Sequence, residues 1–218
     1  MLSQSGFRLM TNNGITVFLD AGHIGIPYQP GHSHCDALSF ELYYNRNPIL
    51  VNTGVSTYEG GKKRDYQRST QAHNTVMVGD LDQSEVWGTF RVGRRAIVKR
   101  HIDDDMTVKA SVKGFYPKKH MHFRTWQKKD YCFEIIDNVI PFDDIECHAY
   151  FHCHPNVNPE KIDDNTYKIE SLVIKFFKFK TISVEEYQWC SSFNSEFCSK
   201  RLVVSFLKGI TTSISRLT

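Results

Sequence analysis

Apolar and polar residues alternate along this chain with a period of two far more often than with a period of 3.6. Thr107–Lys113 reads Thr-Val-Lys-Ala-Ser-Val-Lys, with Val108, Ala110 and Val112 on one side and polar residues on the other. That is the pattern of a half-buried antiparallel strand. Arg201–Lys208 repeats it with Leu202, Val204 and Phe206. Similar segments are Ile15–Asp20, Leu38–Tyr44, Pro48–Asn52, Thr75–Val78, Phe90–Lys99, His122–Lys128, Tyr131–Asn138, Cys147–Cys153, Tyr167–Phe179 and Ile182–Gln188. Turn-forming runs separate them, among them Asn12-Asn13-Gly14, Asn45-Arg46-Asn47-Pro48 and Asp163-Asp164-Asn165.

Helical periodicity is nearly absent. Lys62–Gln71 is mostly polar and fits a short helix or a loop equally well. More than ten short strands predict an all-β fold, a large antiparallel sandwich or barrel, with few or no helices. No Pro/Gly/Ser linker or internal repeat divides residues 1–218, so one domain is expected.

Composition narrows the classes. Hydrophobic residues make up 40% and charged residues 23%, enough for a packed core and too apolar for disorder. A net charge of +3, scattered along the chain, gives no argument for a nucleic-acid partner. No apolar run approaches the roughly 18 residues of a membrane span. The first residues lack a basic and then apolar leader, so no signal peptide is expected on this chain. Six cysteines without CxxC spacing predict free thiols. Both features favour a cytoplasmic location for the chain as given, with a periplasmic one open for a longer protein.

The candidate chemistry is crowded into residues 30–95. Pro30-Gly31-His32-Ser33-His34-Cys35-Asp36 places two histidines at i and i+2, which on a strand point to the same side and can converge on a metal, a proton-transfer site or an anion. One unbroken strand from His32 to Tyr44 would put them on the face of Leu38, Phe40 and Leu42. The expectation is therefore a bend near Cys35-Asp36, or histidines at the edge of a buried face. Three further polar blocks follow: Val51-Asn52-Thr53-Gly54, with Tyr58 beyond it; Tyr66–Thr75, with Arg68 and His73; and Glu85–Arg95, with Trp87 and several arginines.

Taken in order, Gly31-His-Ser-His-Cys-Asp-Ala-Leu-Ser-Phe-Glu-Leu, Val51-Asn-Thr-Gly, Ala72-His-Asn-Thr-Val and Ser84-Glu-Val-Trp-Gly-Thr-Phe-Arg-Val-Gly-Arg-Arg-Ala resemble the C-terminal β-sandwich domain of the heparinase II/III-like polysaccharide lyases. The likeness covers roughly residues 5–96; His152-Cys-His-Pro155 and Trp189 stand in family-like places beyond it.

The resemblance implies β-elimination on a uronate-containing, acidic polysaccharide. His32 would line the active site as the catalytic residue on this domain. Tyr58, Arg64 and Arg68, between the second and third blocks, would contact substrate. His34, Asn52 and His73 would correspond to the ligands of a structural zinc. Asn52 departs from the pattern, because the family has an acidic residue there and an amide oxygen is a neutral, weaker donor. The alternative for these three is a hydrogen-bonded cluster doing the metal's structural work. The resemblance also implies a partner, an N-terminal helical toroid supplying the principal base or acid, which these 218 residues do not contain. The chain alone would then be inactive.

Two other readings compete. A cupin-type metal enzyme would use His32, His34 and Glu41, but the glycine offset before HxH is wrong by one and no second block follows. A non-catalytic carbohydrate-binding module linked to exopolysaccharide metabolism would use Tyr58, Trp87, Arg91, Arg94 and Arg95 as a sugar platform.

Overall fold

In a computed structural model of the chain, residues 4–26, 28–114, 120–140 and 144–217 are described. The alternating segments pair antiparallel into two facing layers. One layer is an eight-stranded sheet. Its spatial order is Pro159–Lys161, Thr166–Ile169, Leu172–Phe177, Gly209–Arg216, Cys132–Ile140, Met121–Lys128, Thr107–Lys113 and Ile97–Asp103. The other layer is made of two four-stranded sheets. Phe7–Asn12, Ile15–Asp20, Phe40–Tyr44 and Asn47–Leu50 form the first; Thr181–Ser192, Ser195–Phe206, Cys147–His152 and Val76–Val78 form the second. They are stitched at Leu50 and Cys153: the Val51 N–H donates to the His152 carbonyl and the His154 N–H to that of Ile49, each at 2.9 Å.

Period-two burial puts one face of each layer into a common core. Phe40 and Phe151 from one layer meet Phe176 from the other, with centroids 6.2 and 5.1 Å apart along that row. The fold is an all-β sandwich, one of the two forms expected from alternation, with one seven-residue helix at Lys62–Arg68 and a 3-10 turn at Thr70–Ala72. The chain-terminal strands Phe7–Asn12 and Gly209–Arg216 were outside the expected set, and Tyr167–Phe179 divides into two strands around Glu170-Ser171. No helix among the described residues is long and apolar enough to cross a membrane. All six cysteines are free thiols, four of them buried.

The core also contains ions. Arg124 and Asp137 sit directly opposite each other on paired strands, and both side chains are fully buried. Asp137 accepts from Arg124 Nε at 2.7 Å, from Arg124 Nη2 at 3.1 Å and from His122 Nε2 at 2.6 Å. Burial works against the Asp137 carboxylate, but the Arg124 charge and the His122 contact outweigh it and hold its pKa below the usual range. The remaining Arg124 nitrogen, Nη1, donates to the carbonyls of Leu38 and Asn74, both at 2.7 Å. One guanidinium therefore ties the eight-stranded sheet to the two segments that lead to the histidines. Removing one partner of such a pair strands a buried charge. We expect Asp137→Asn to lower unfolding free energy by about 3–5 kcal/mol in urea titration; a loss near zero would show that the pair does not organise the core.

Candidate functional site

The site is built on four irregular segments rather than on strands. Residues 32–39 do not continue the strand that begins at Phe40; the chain turns at Leu38, whose φ is +59°. The break falls two residues after Cys35-Asp36, where a bend was expected, so a strand's alternation does not apply to His32 and His34. Left-handed backbone is unfavourable for a leucine, and the Leu38 carbonyl is held in place by Arg124. Gly54, with φ +76°, is fixed for a second reason: a Cβ there would lie 2.1 Å from the Cys190 carbonyl oxygen.

The helix Lys62–Arg68 buries Arg64, Gln67 and Arg68, at i, i+3 and i+4. Its inward face is polar because its partners are backbone carbonyls and polar side chains. Arg68 is 1% exposed. Its guanidinium donates to the carbonyls of Ser33, Gly88, Thr89 and Arg91 at 3.0–3.3 Å, while its own carbonyl accepts from the Cys35 N–H at 2.9 Å. Arg68 thus clamps the histidine segment to the 88–91 segment. Gln67 donates to Ser56 Oγ at 2.8 Å, and Ser56 donates to Glu196 at 2.6 Å.

His34 and His73 meet, with His34 Nδ1 and His73 Nε2 separated by 3.2 Å. The neighbours assign the protons. Arg64 Nη1 can only donate, and it lies 3.4 Å from His34 Nε2. His34 therefore carries its proton on Nδ1 and donates to His73 Nε2; His73 in turn donates from Nδ1 to the Ser69 carbonyl at 2.9 Å. Every ring nitrogen is satisfied in one direction, from Arg64 to Ser69. Burial, then His73 and the cations Arg64 and Arg68, hold the His34 pKa down to about 2. Burial lowers His73 to about 4, against the opposing pull of Asp82 and Glu41.

Asn52 is engaged elsewhere. Its Oδ1 accepts from the Asn74 N–H at 2.9 Å, and its own N–H donates to Glu41 at 3.3 Å. For zinc, this donor set does not fit as arranged. A metal between the two rings would move the His34 proton to Nε2, facing the donor-only Arg64, and the third ligand is a neutral amide already in use.

His32 lies on the outer side of the same cluster, exposed. Its ring packs edge-on against Tyr58 at 5.5 Å and tilted against Phe90 at 5.2 Å. Tyr58 also contacts Phe90 at 5.4 Å and Phe193 at 5.3 Å. The Arg64 guanidinium stacks 5.1 Å from the Tyr58 centroid, and its Nη2 is buried with no hydrogen-bond partner among the described residues. A hollow of about 1010 Å³ opens beside this platform, lined by Tyr58, Lys62, Lys63, Phe193, Asn194 and Glu196. The His32 and His34 rings thus reach two sides of one Tyr58–Arg64 stack. Of the other platform candidates, Trp87 is exposed, Arg94 pairs with Glu85 at 3.3 Å, and Arg95 donates to the Ile24 and Ile26 carbonyls.

Phe193, Glu196 and Arg124 were outside the residues expected to matter, and Asn74 had been quoted only as part of the third motif block. An aromatic beside an asparagine in the turn-like run Ser192-Phe193-Asn194-Ser195 is the one sequence signal that could have found Phe193.

Fold and site together define an antiparallel sandwich with an aromatic, cation-backed hollow at the loops of one layer. The chain belongs to the heparinase II/III-like family: the model of that family's C-terminal domain matches residues 1–215. Among solved structures it is similar to a heparinase III (16% identity, TM-score 0.73, covering 98% of this chain and 36% of that one). It is likewise similar to the heparan sulfate lyase HepC from Pedobacter heparinus (18% identity, TM-score 0.72, 99% and 35%). A 4-alpha-glucanotransferase from Thermococcus litoralis shares the fold more distantly (9% identity, TM-score 0.55, 97% and 37%). The chain spans about a third of the length of these enzymes. A search of curated proteins finds no match to the sequence.

The histidine pair gives stability a pH dependence. Unfolded, both rings titrate near 6.5; folded, they resist protonation to well below that. The unfolded chain therefore binds more protons as the pH falls. Stability from the pair is complete above pH 6.5 and is lost as pH falls toward 4. His73→Gln is expected to flatten the urea midpoint between those pH values; a midpoint as pH-dependent as the wild type's would remove the pair as the cause.

Proposed function

We propose that this chain is the sandwich half of a β-eliminating lyase that acts on a uronate-containing polysaccharide. The supporting observation is the exposed His32 imidazole on an aromatic platform, above a buried arginine with an N–H to spare. β-Elimination needs the uronate carboxylate neutralised, the C5 proton removed and the leaving oxygen protonated. Arg64 has the charge and the free N–H for the carboxylate. His32 reaches the sugar and moves a proton there. Tyr58, Phe90 and Phe193 hold the ring, while Arg68 positions the segments and has its donors committed to carbonyls.

What remains is a principal base or acid, which the family resemblance assigns to a helical domain. Residues 1–218 alone should therefore bind acidic oligosaccharide weakly and release no unsaturated uronate, read as ultraviolet absorbance. Joined to their helical domain they should turn over, and His32→Ala should then cut kcat by about a hundredfold or more. Steady product from the isolated chain would overturn the division of labour. A binding module without catalysis is the second reading, favoured by a platform that is complete within this chain; it predicts affinity without product even in the joined protein.

Arg64 does for His34 and His73 what zinc does in family members that hold the metal: it sets their protonation and orientation. Wild-type affinity for zinc should accordingly be weak and easily stripped by chelator. Asn52→Asp should raise it markedly by adding a charged oxygen donor. Equal zinc content by elemental analysis in both proteins would count against a latent site.

A further inference from the structure

A second hollow, of about 460 Å³, lies next to the platform and takes no part in the chemistry above. Its walls include Glu41, Tyr43, Asn52, His154, Trp189 and Ser191. The two hollows follow one another along the same pair of segments. Gly54 bridges to Cys190, the Cys190 N–H donates to the Thr53 carbonyl at 2.7 Å, and the Asn194 N–H donates to that of Ser56 at 2.8 Å. Residues 52–58 and 189–196 therefore run side by side. Asn52, Gly54 and Trp189 line the second hollow; Ser56, Tyr58 and Phe193 line the first. Six residues span at most about 20 Å, a run several sugar rings long.

The second hollow has its own chemistry. Trp189 is half-buried, edge-on to His154 at 4.7 Å and backed by Phe197 at 5.9 Å. Glu41 is preset: Tyr43 Oη donates to its Oε2 at 2.7 Å and the Asn52 N–H to its Oε1 at 3.3 Å. Each oxygen keeps a lone pair for a further donor. An indole beside a fixed carboxylate matches a pyranose ring, whose C–H face is electropositive and whose hydroxyls donate. Among the described residues no Lys or Arg lines it, and burial keeps His154 below its ordinary pKa. An anionic ring meets repulsion here, whereas the first hollow sets Lys62 and Lys63 beside Glu59 and Glu196, with Lys63 paired to Glu196 at 2.7 Å.

We propose that the hollow between Glu41 and Trp189 is a second carbohydrate subsite, taking a neutral hexose unit of the polysaccharide whose uronate unit lies at His32. The proposal rests on the polysaccharide reading above for its setting. It predicts a groove that reads acidic and neutral rings at different stations.

Two probes that differ only at C6 test it: methyl glucopyranoside and its glucuronic acid counterpart, each titrated to about 50 mM. The readout is the ¹⁵N indole signals, with that of Trp189 assigned by Trp189→Phe. The neutral glycoside is expected to shift the Trp189 signal saturably and the glucuronide to leave it in place. Glu41→Gln, checked for an otherwise unchanged amide spectrum, should weaken the neutral glycoside about fivefold and admit the glucuronide. A Trp189 signal indifferent to the neutral glycoside, or moved equally by both probes in the wild type, overturns the proposal. So does unchanged affinity in Glu41→Gln. Failure of the lyase reading registers separately, as absence of unsaturated product from the joined protein, and leaves this titration untouched.

Discussion

The Arg124 guanidinium is the contact on which the arrangement of this domain depends. Burying an ion pair costs several kcal/mol per ion unless its remaining hydrogen bonds are met. Here the guanidinium's four hydrogen bonds are all supplied from within the core: two to Asp137 on the same sheet, and two reaching across to Leu38 and Asn74. Aromatic faces close the rest of the space, with Phe40 at 5.4 Å and Trp126 at 5.9 Å from the guanidinium carbon. An apolar core of the same volume could pack as densely. It would not hold two carbonyls of the opposite layer at fixed positions, and those carbonyls stand four residues after His34 and one after His73.

From Asn74 the constraint spreads through an amide with every group in use. Its N–H reaches Asn52, its Nδ2 the Phe40 carbonyl, and its Oδ1 receives the His152 N–H and ring. Asn52 is thereby committed to the backbone, and the two imidazoles are left to satisfy each other between Arg64 and Ser69. The amide at position 52 and the arginine at position 64 make a consistent pair. A neutral oxygen suits a cluster whose positive charge comes from a guanidinium already present, where a second cation would be repelled.

Much of this was legible in the sequence, and the failures have causes. Half-buried strands announce themselves through alternation, so the interior of the sandwich was readable. The terminal strands were not, because Phe7–Asn12 exposes Leu9 and Gly209–Arg216 is rich in Thr and Ser, which blurs the contrast between faces. The helix Lys62–Arg68 hid because it buries arginine and glutamine, so no apolar period marks it. The His-x-His spacing suggested convergence through strand geometry; the rings instead reach opposite sides of the Tyr58–Arg64 stack from irregular backbone. The four motif blocks pointed to the right neighbourhood. They were silent on Arg124 and Asp137, whose partnership rests on strand register that lies outside any motif.

The same physics sets what this surface can discriminate. Charge inside a sandwich is tolerated only where backbone or side-chain partners fix it, and each fixed charge becomes a selective feature wherever it borders a cavity. Arg64 lies buried against the Tyr58 ring that lines one cleft, and Glu41 borders the next, held by Tyr43 and Asn52. If the proposed subsites hold, opposite charges at consecutive stations along one pair of segments penalise a polymer placed out of register. An acidic ring shifted toward Trp189 meets a carboxylate, and a neutral ring shifted toward Tyr58 leaves a buried N–H unmatched. On the proposed reading, register along the groove would be an electrostatic property of the sandwich itself, set before any catalytic group supplied from outside it comes to bear.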